Sequence, residues 1–136
     1  MTEPFSIHPR LQADCHWLLP LACSELLLHK DAALPWFILV PRVEAGALHE
    51  LDRPTRHQLD DEADAVAGFL VAWFGCHRIN QASIGNRVPQ LHLHVIGRYP
   101  GDPCWPGVVW GCLDSGESYG HARLQTIATA LRHRLG

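Results

Sequence analysis

Polar and apolar residues alternate without interruption along QLHLHV (90–95), and the strand they predict extends to Tyr99. Two shorter apolar runs precede it. ELLLH (25–29) and WFILV (36–40) are separated by the polar, proline-containing KDAALP and read as two strands with a break between them. From Thr55 to Gly75 the period changes: Leu59, Ala63, Val66, Ala67, Leu70, Trp73 and Phe74 recur at helical spacing. Pro54, Thr55 and Gln58 mark the start of that helix, and Gly75 marks its stop. RINQASI (78–84) alternates weakly and reads as a strand, and GNRVP turns the chain. Residues 100–111, PGDPCWPGVVWG, carry too many prolines and glycines for a regular element and predict an ordered loop packed around its tryptophans. Residues 118–135 predict a last helix, capped by Ser118, with Leu124, Ile127, Ala128, Leu131 and Leu135 on one face. Strands, helix, strands, helix is the order of an α+β domain, an antiparallel sheet with helices against it.

Composition narrows the function classes. A chain of 136 residues, 47% hydrophobic and 18% charged, suits one globular domain with its own core. No apolar run approaches the ~20 residues of a membrane span. The acidic, proline-broken start MTEPFSIHPRLQ lacks the plan of a signal peptide, so a cytoplasmic location is expected. A net charge of −3, with no basic stripe beyond RHR (132–134), argues against a nucleic-acid polymer as partner. The five cysteines, Cys15, Cys23, Cys76, Cys104 and Cys112, are odd in number and lack Cys-x-x-Cys spacing; they read as reduced thiols packed as small hydrophobes.

The chemistry concentrates in the alternating strand. Side chains two apart share a face, so Gln90, His92 and His94 stand together while Leu91, Leu93 and Val95 face the core. Same-face histidines admit three readings. They can be structural, each satisfied by a hydrogen bond. They can supply two nitrogen ligands to zinc, with a third from His16, Cys104 or His121. Or they can perform covalent catalysis: one imidazole, its tautomer fixed by a backbone carbonyl, attacks with its free nitrogen, while the other stabilises charge or protonates a leaving group.

QLHLHVI resembles the signature of the histidine triad (HIT) superfamily, in which three histidines alternate with apolar residues. LLLHKDAALPWFILVPR resembles that family's first hairpin, and the segment from RINQASIGN to the Trp-Pro-Gly run resembles bacterial HIT-domain proteins and diadenosine tetraphosphate hydrolases. The resemblance covers residues 5–111. It implies a five-stranded antiparallel sheet with a long central helix and a C-terminal helix, usually as a homodimer. It also implies nucleotidyl hydrolysis or transfer on a small nucleotide, with no cofactor and no metal at the covalent step. On this chain His92 is then the nucleophile at the α-phosphorus, and His94 orients the phosphate and leaving group. Gln90 stands in the first histidine's place, its carbonyl holding the His92 ring and its amide free to donate to a phosphoryl oxygen. The resemblance further suggests Asp31 on the ribose, Asn80 and Asn86 around the phosphate, and Trp105 in a loop closing over the leaving portion. Trp36 lies where some relatives have another histidine. Arg87 and Arg98 flank the signature and would add positive potential.

Overall fold

The computed structural model describes residues 4–135. Helix α1 (Pro9–Asp14) leads into strand β1 (Cys15–Pro20), which forms a meander with β2 (Ser24–His29) and β3 (Trp36–Pro41). A 3-10 turn (Leu48–Glu50) precedes the long helix α2 (Arg53–Phe74); strands β4 (Arg78–Ala82) and β5 (Leu93–Arg98) and helix α3 (His121–Leu135) follow. All neighbouring strands pair antiparallel in the order β1-β2-β3-β5-β4, so β5, the last strand in sequence, lies between β3 and β4. This is the five-stranded α+β architecture expected.

The apolar runs at 25–29 and 36–40 are continuous because both faces of the sheet are covered. Leu26, Leu28, Phe37, Leu39, Leu93 and Val95 meet α2 and α3 on one face. On the other, Leu27, Trp36, Ile38, Val40 and Ile96 pack with Leu11 of α1 and with Val88 and Val109 from the loops. The second face carries the histidines, roofed by α1 and the 100–113 loop.

Several boundaries differ from the sequence reading. Helix α2 begins at Arg53, because Asp52 rather than Thr55 caps it: Asp52 Oδ1 accepts the Thr55 backbone N–H at 2.8 Å. Gly75 ends it in the left-handed region, φ 70°, as expected. Regular pairing of β5 starts at Leu93, so Gln90 and His92 belong to its approach rather than to the ladder. Helix α3 starts at His121, beyond Ser118, but buries the face predicted for it, with Ile127, Ala128 and Leu131 innermost.

The cysteine reading needs correction. Cys104 and Cys112 are joined as a disulfide, their Cα atoms 6.1 Å apart, because the turns of the 100–113 loop fold its two ends together. Cys15, Cys23 and Cys76 remain thiols. Burial pushes the Cys15 thiol up to about 12, with Asp14 adding to it, and pushes Cys76 up to about 11, so both are inert packing groups. Among the described residues, no helix is long and apolar enough to cross a membrane.

Candidate active site

His94 sits on β5 opposite Ile38 of β3 and Ala82 of β4, and His92 lies two residues earlier on the approach. Both are buried to about the same degree, 6% exposed, and their rings meet edge to face at 4.9 Å between centroids. They form the floor of a cleft of about 440 Å³. Arg10, Leu11 and Asp14 of α1 form one wall, and Ile84 to Val88 another. Val109, Trp110 and Leu113 close it from the loop. A larger groove, about 710 Å³, lies between α2 and α3, lined by Phe69, Trp73, Thr126 and His133, and holds no such pair.

Each histidine makes one hydrogen bond that decides its tautomer. His92 Nδ1 lies 2.8 Å from the Gln90 carbonyl oxygen. A carbonyl only accepts, so Nδ1 carries the proton and Nε2 of the neutral ring keeps its lone pair. His94 is the reverse. The Trp36 indole N–H donates to His94 Nδ1 at 3.0 Å, so the neutral ring carries its proton on Nε2. Burial, then the neighbouring His92 and His29, push the His94 pKa down to about 3. His94 is therefore a neutral donor throughout the physiological range.

The remaining predicted residues divide. Asn86 and Arg87 line the cleft. Gln90 does not: its Oε1 accepts the His8 backbone N–H at 2.8 Å and its Nε2 donates to the Ser6 carbonyl at 2.9 Å, so the amide is committed to the N-terminal segment. Asp31 is likewise committed. Its carboxylate accepts the Ser115 N–H at 2.8 Å, the Ser115 hydroxyl at 2.6 Å and the Ala33 N–H at 3.0 Å, fastening the segment before α3. Burial raises its pKa, and these bonds outweigh that and leave it lowered. Asn80 Oδ1 accepts from Arg98 Nη1 at 2.8 Å instead of facing the cleft. Arg98, expected to add positive potential beside the signature, is instead 2% exposed and forked onto Asp102 by bonds of 2.8 and 3.0 Å. Trp105, half-exposed, lies 5.8 Å from that guanidinium and packs on it rather than over the cleft.

Sequence reasoning missed Arg10, His29 and Trp110 as cleft residues. His29 shares its parity with Leu27, whose face of the sheet is the histidine face, which was the available signal. It stacks on Trp36, centroids 4.2 Å apart and planes within 10°. The zinc arrangement does not assemble. His16 and His121 line a different recess, and Cys104 is bonded to Cys112. Among the described residues no group of three or more His, Cys, Asp or Glu side chains is placed to hold a metal ion.

Residues 10–101 match the family model described as HIT domain. A histidine triad protein from Bradyrhizobium japonicum is similar over 96% of this chain and 98% of its own, at 36% identity and a TM-score of 0.90. One from Marinobacter aquaeolei VT8 is 39% identical, with 96% of each chain covered and a TM-score of 0.89. A third, from Sinorhizobium meliloti 1021, is 35% identical over 96% of this chain and 97% of its own, with a TM-score of 0.90. No curated protein sequence matches.

Proposed function

The chain belongs to the HIT domain family, and from that premise we propose that it is a nucleotide hydrolase or nucleotidyl transferase working through a covalent intermediate on His92. The family supports a nucleotide-binding or hydrolase and transferase role. The observation that carries the finer reading is the opposite tautomers of the two rings. His92 offers a lone pair on Nε2 to the cleft, and His94 beside it offers an N–H.

In the first step His92 Nε2 forms a bond to the α-phosphorus of a small nucleotide, and the bond from phosphorus to the leaving group breaks. The leaving group takes that electron pair. His92 Nδ1 keeps its proton on the Gln90 carbonyl, which favours the positive charge the ring acquires. In the second step water or another acceptor attacks phosphorus, the P–N bond breaks with its electron pair returning to Nε2, and the attacking group's proton passes to solvent. The His94 N–H, Asn86 and Arg87 are the groups available to phosphoryl oxygens as charge develops. Dinucleoside polyphosphates, as in diadenosine tetraphosphate hydrolases, adenylylated small molecules and phosphoramidates are the substrate classes with a suitable α-phosphate. The expected partner is the nucleotide itself, with the chain as a homodimer.

Rapid quench after mixing with α-³²P-labelled dinucleotide tests this. Label on His92, forming and decaying at the rate of turnover, is the expected result. Turnover without labelled histidine overturns the covalent route. Tight binding of adenosine monophosphate without turnover on any substrate favours a nucleotide-binding module.

A further inference from the structure

We propose that Trp36 is a positioning residue: its indole N–H holds Nδ1 of His94 and keeps the His94 proton on Nε2, making that ring a fixed neutral donor rather than a proton source. The second half of this inference rests on the nucleotidyl-transfer reading; the tautomer does not.

Strand register explains the contact. Trp36 pairs with Ile96, so His94 is its diagonal neighbour on the same face, about 7–8 Å away between backbones and within reach of an indole. An indole nitrogen only donates. With Trp36 7% exposed, little water is available to replace its partner. The indole is held on several sides. His29 stacks on it at 4.2 Å, and Trp110 stands edge-on at 6.1 Å from it and 5.2 Å from His94. A proton on His94 Nδ1 would set N–H against N–H and strand two buried donors. Burial and the neighbouring His92 and His29 oppose that protonation as well.

The consequence is a preference among leaving groups. A neutral imidazole N–H stabilises negative charge on oxygen by hydrogen bonding, but gives up its proton reluctantly. An oxygen leaving group such as a polyphosphate or carboxylate departs as a stable anion with the electron pair of the broken P–O bond and needs no proton. An amine leaving group must take one up as the P–N bond breaks, and His94 is not protonated to supply it. The site therefore favours nucleotides activated through oxygen over nucleoside phosphoramidates.

Histidine side-chain ¹⁵N NMR on the wild type from pH 5 to 8 reads the tautomer directly and needs no variant. His94 is expected as the Nε2–H form throughout. In Trp36→Phe, which removes the indole N–H but keeps a ring in place, it should become a mixture of tautomers. Turnover of a dinucleoside polyphosphate by Trp36→Phe should fall about 10- to 100-fold with KM little changed, the scale of one lost positioning interaction. An Nδ1–H or protonated His94 in the wild type at pH 6 overturns the proposal. So does wild-type turnover of an adenosine phosphoramidate faster than of the polyphosphate. The Nε2–H form with no turnover of any nucleotide leaves the Trp36 contact standing and removes nucleotidyl transfer.

Discussion

Gln90 reaches across 82 positions of sequence to hold His8, accepting its backbone N–H at 2.8 Å while donating to the Ser6 carbonyl at 2.9 Å. The side chain does for the N-terminal segment what a neighbouring strand would do, satisfying one donor and one acceptor. That segment leads directly into α1, whose Arg10, Leu11 and Asp14 wall the cleft. Gln90 thus shapes the site from outside it.

Gln90→Ala should accordingly undock residues 6–8 and loosen α1. Two partly exposed hydrogen bonds at ~0.5–1.5 kcal/mol each predict a loss of about 1–3 kcal/mol in urea unfolding. In kinetics KM should rise more than kcat falls, because the wall that meets substrate moves while the backbone carbonyl under His92 stays. A fall in kcat alone, with unfolding unchanged, would point to direct contact between the amide and phosphate.

His94 makes stability depend on pH with a definite sign. Its pKa in the fold is lowered from the ordinary 6.5 to about 3 by burial and by His92 and His29. Between those values the unfolded chain binds a proton that the folded chain refuses, so stability is complete above 6.5 and drains away as pH falls toward 3. The slope approaches roughly 1.4 kcal/mol per pH unit within that window. Urea unfolding of wild type and His94→Gln at pH 7.5, 6, 5 and 4 isolates the contribution, since the carboxylates titrate in both. The variant's curve should be flatter by about that slope.

What could be read from the chain follows from which signals are local. The paired strands at 25–29 and 36–40, the 53–74 helix and its Gly75 stop were legible because periodicity and capping are written in adjacent residues. Strand β1, CHWLLP, mixes polar and apolar residues and ends in proline, and α1 is six residues long, too short for a helical period to show. The His-x-His pair was legible for the same local reason. Its wall was not: Arg10, His29 and Trp110 arrive from three separate segments, and only the two-sided burial of the sheet brings them together. Asp31 and Asn80 went astray because a carboxylate or amide near a site has no sequence mark telling ligand contact from loop fastening, and Ser115 and Arg98 claimed them. Cys104 and Cys112 paired without any motif, through the course of one loop.

Arg98 and Asp102 give a test of the scaffold behind the site. The Arg98 guanidinium is 2% exposed and makes two bonds to Asp102 and one to Asn80, and Asp102 also accepts the Tyr99 and Cys104 N–H groups. Burial alone would raise the Asp102 pKa; the Arg98 bonds and backbone donors outweigh it and hold the carboxylate lowered and charged. Asp102→Ala leaves a buried guanidinium without its counter-charge and should cost about 3–5 kcal/mol. Asp102→Asn, which keeps an acceptor, should cost less. The 100–113 loop should become protease-sensitive in the alanine variant, since Asp102 anchors its beginning. Thermal unfolding and limited chymotrypsin digestion, which can cut this lysine- and arginine-free loop after Trp110, measure both.

Chemical rescue separates the nucleophile from the rest of the cleft. In His92→Gly the ring is gone, but the His94 ring remains held through Nδ1 by the Trp36 indole N–H and the Gln90 carbonyl is left facing the vacated space. Free imidazole can enter, donate one N–H to that carbonyl and present its other nitrogen to phosphorus. Because it is no longer tethered, it forfeits the approximation that a fixed ring provides, so millimolar concentrations should restore only a small fraction of turnover. The restored reaction should release a nucleoside phosphorimidazolide into solution, seen by ³¹P NMR, with a rate rising with imidazole concentration. His92→Asn, which keeps an N–H for the carbonyl but fills the space, should be equally inactive and should not respond to imidazole. Undiminished turnover by His92→Gly without imidazole would show that another group attacks phosphorus.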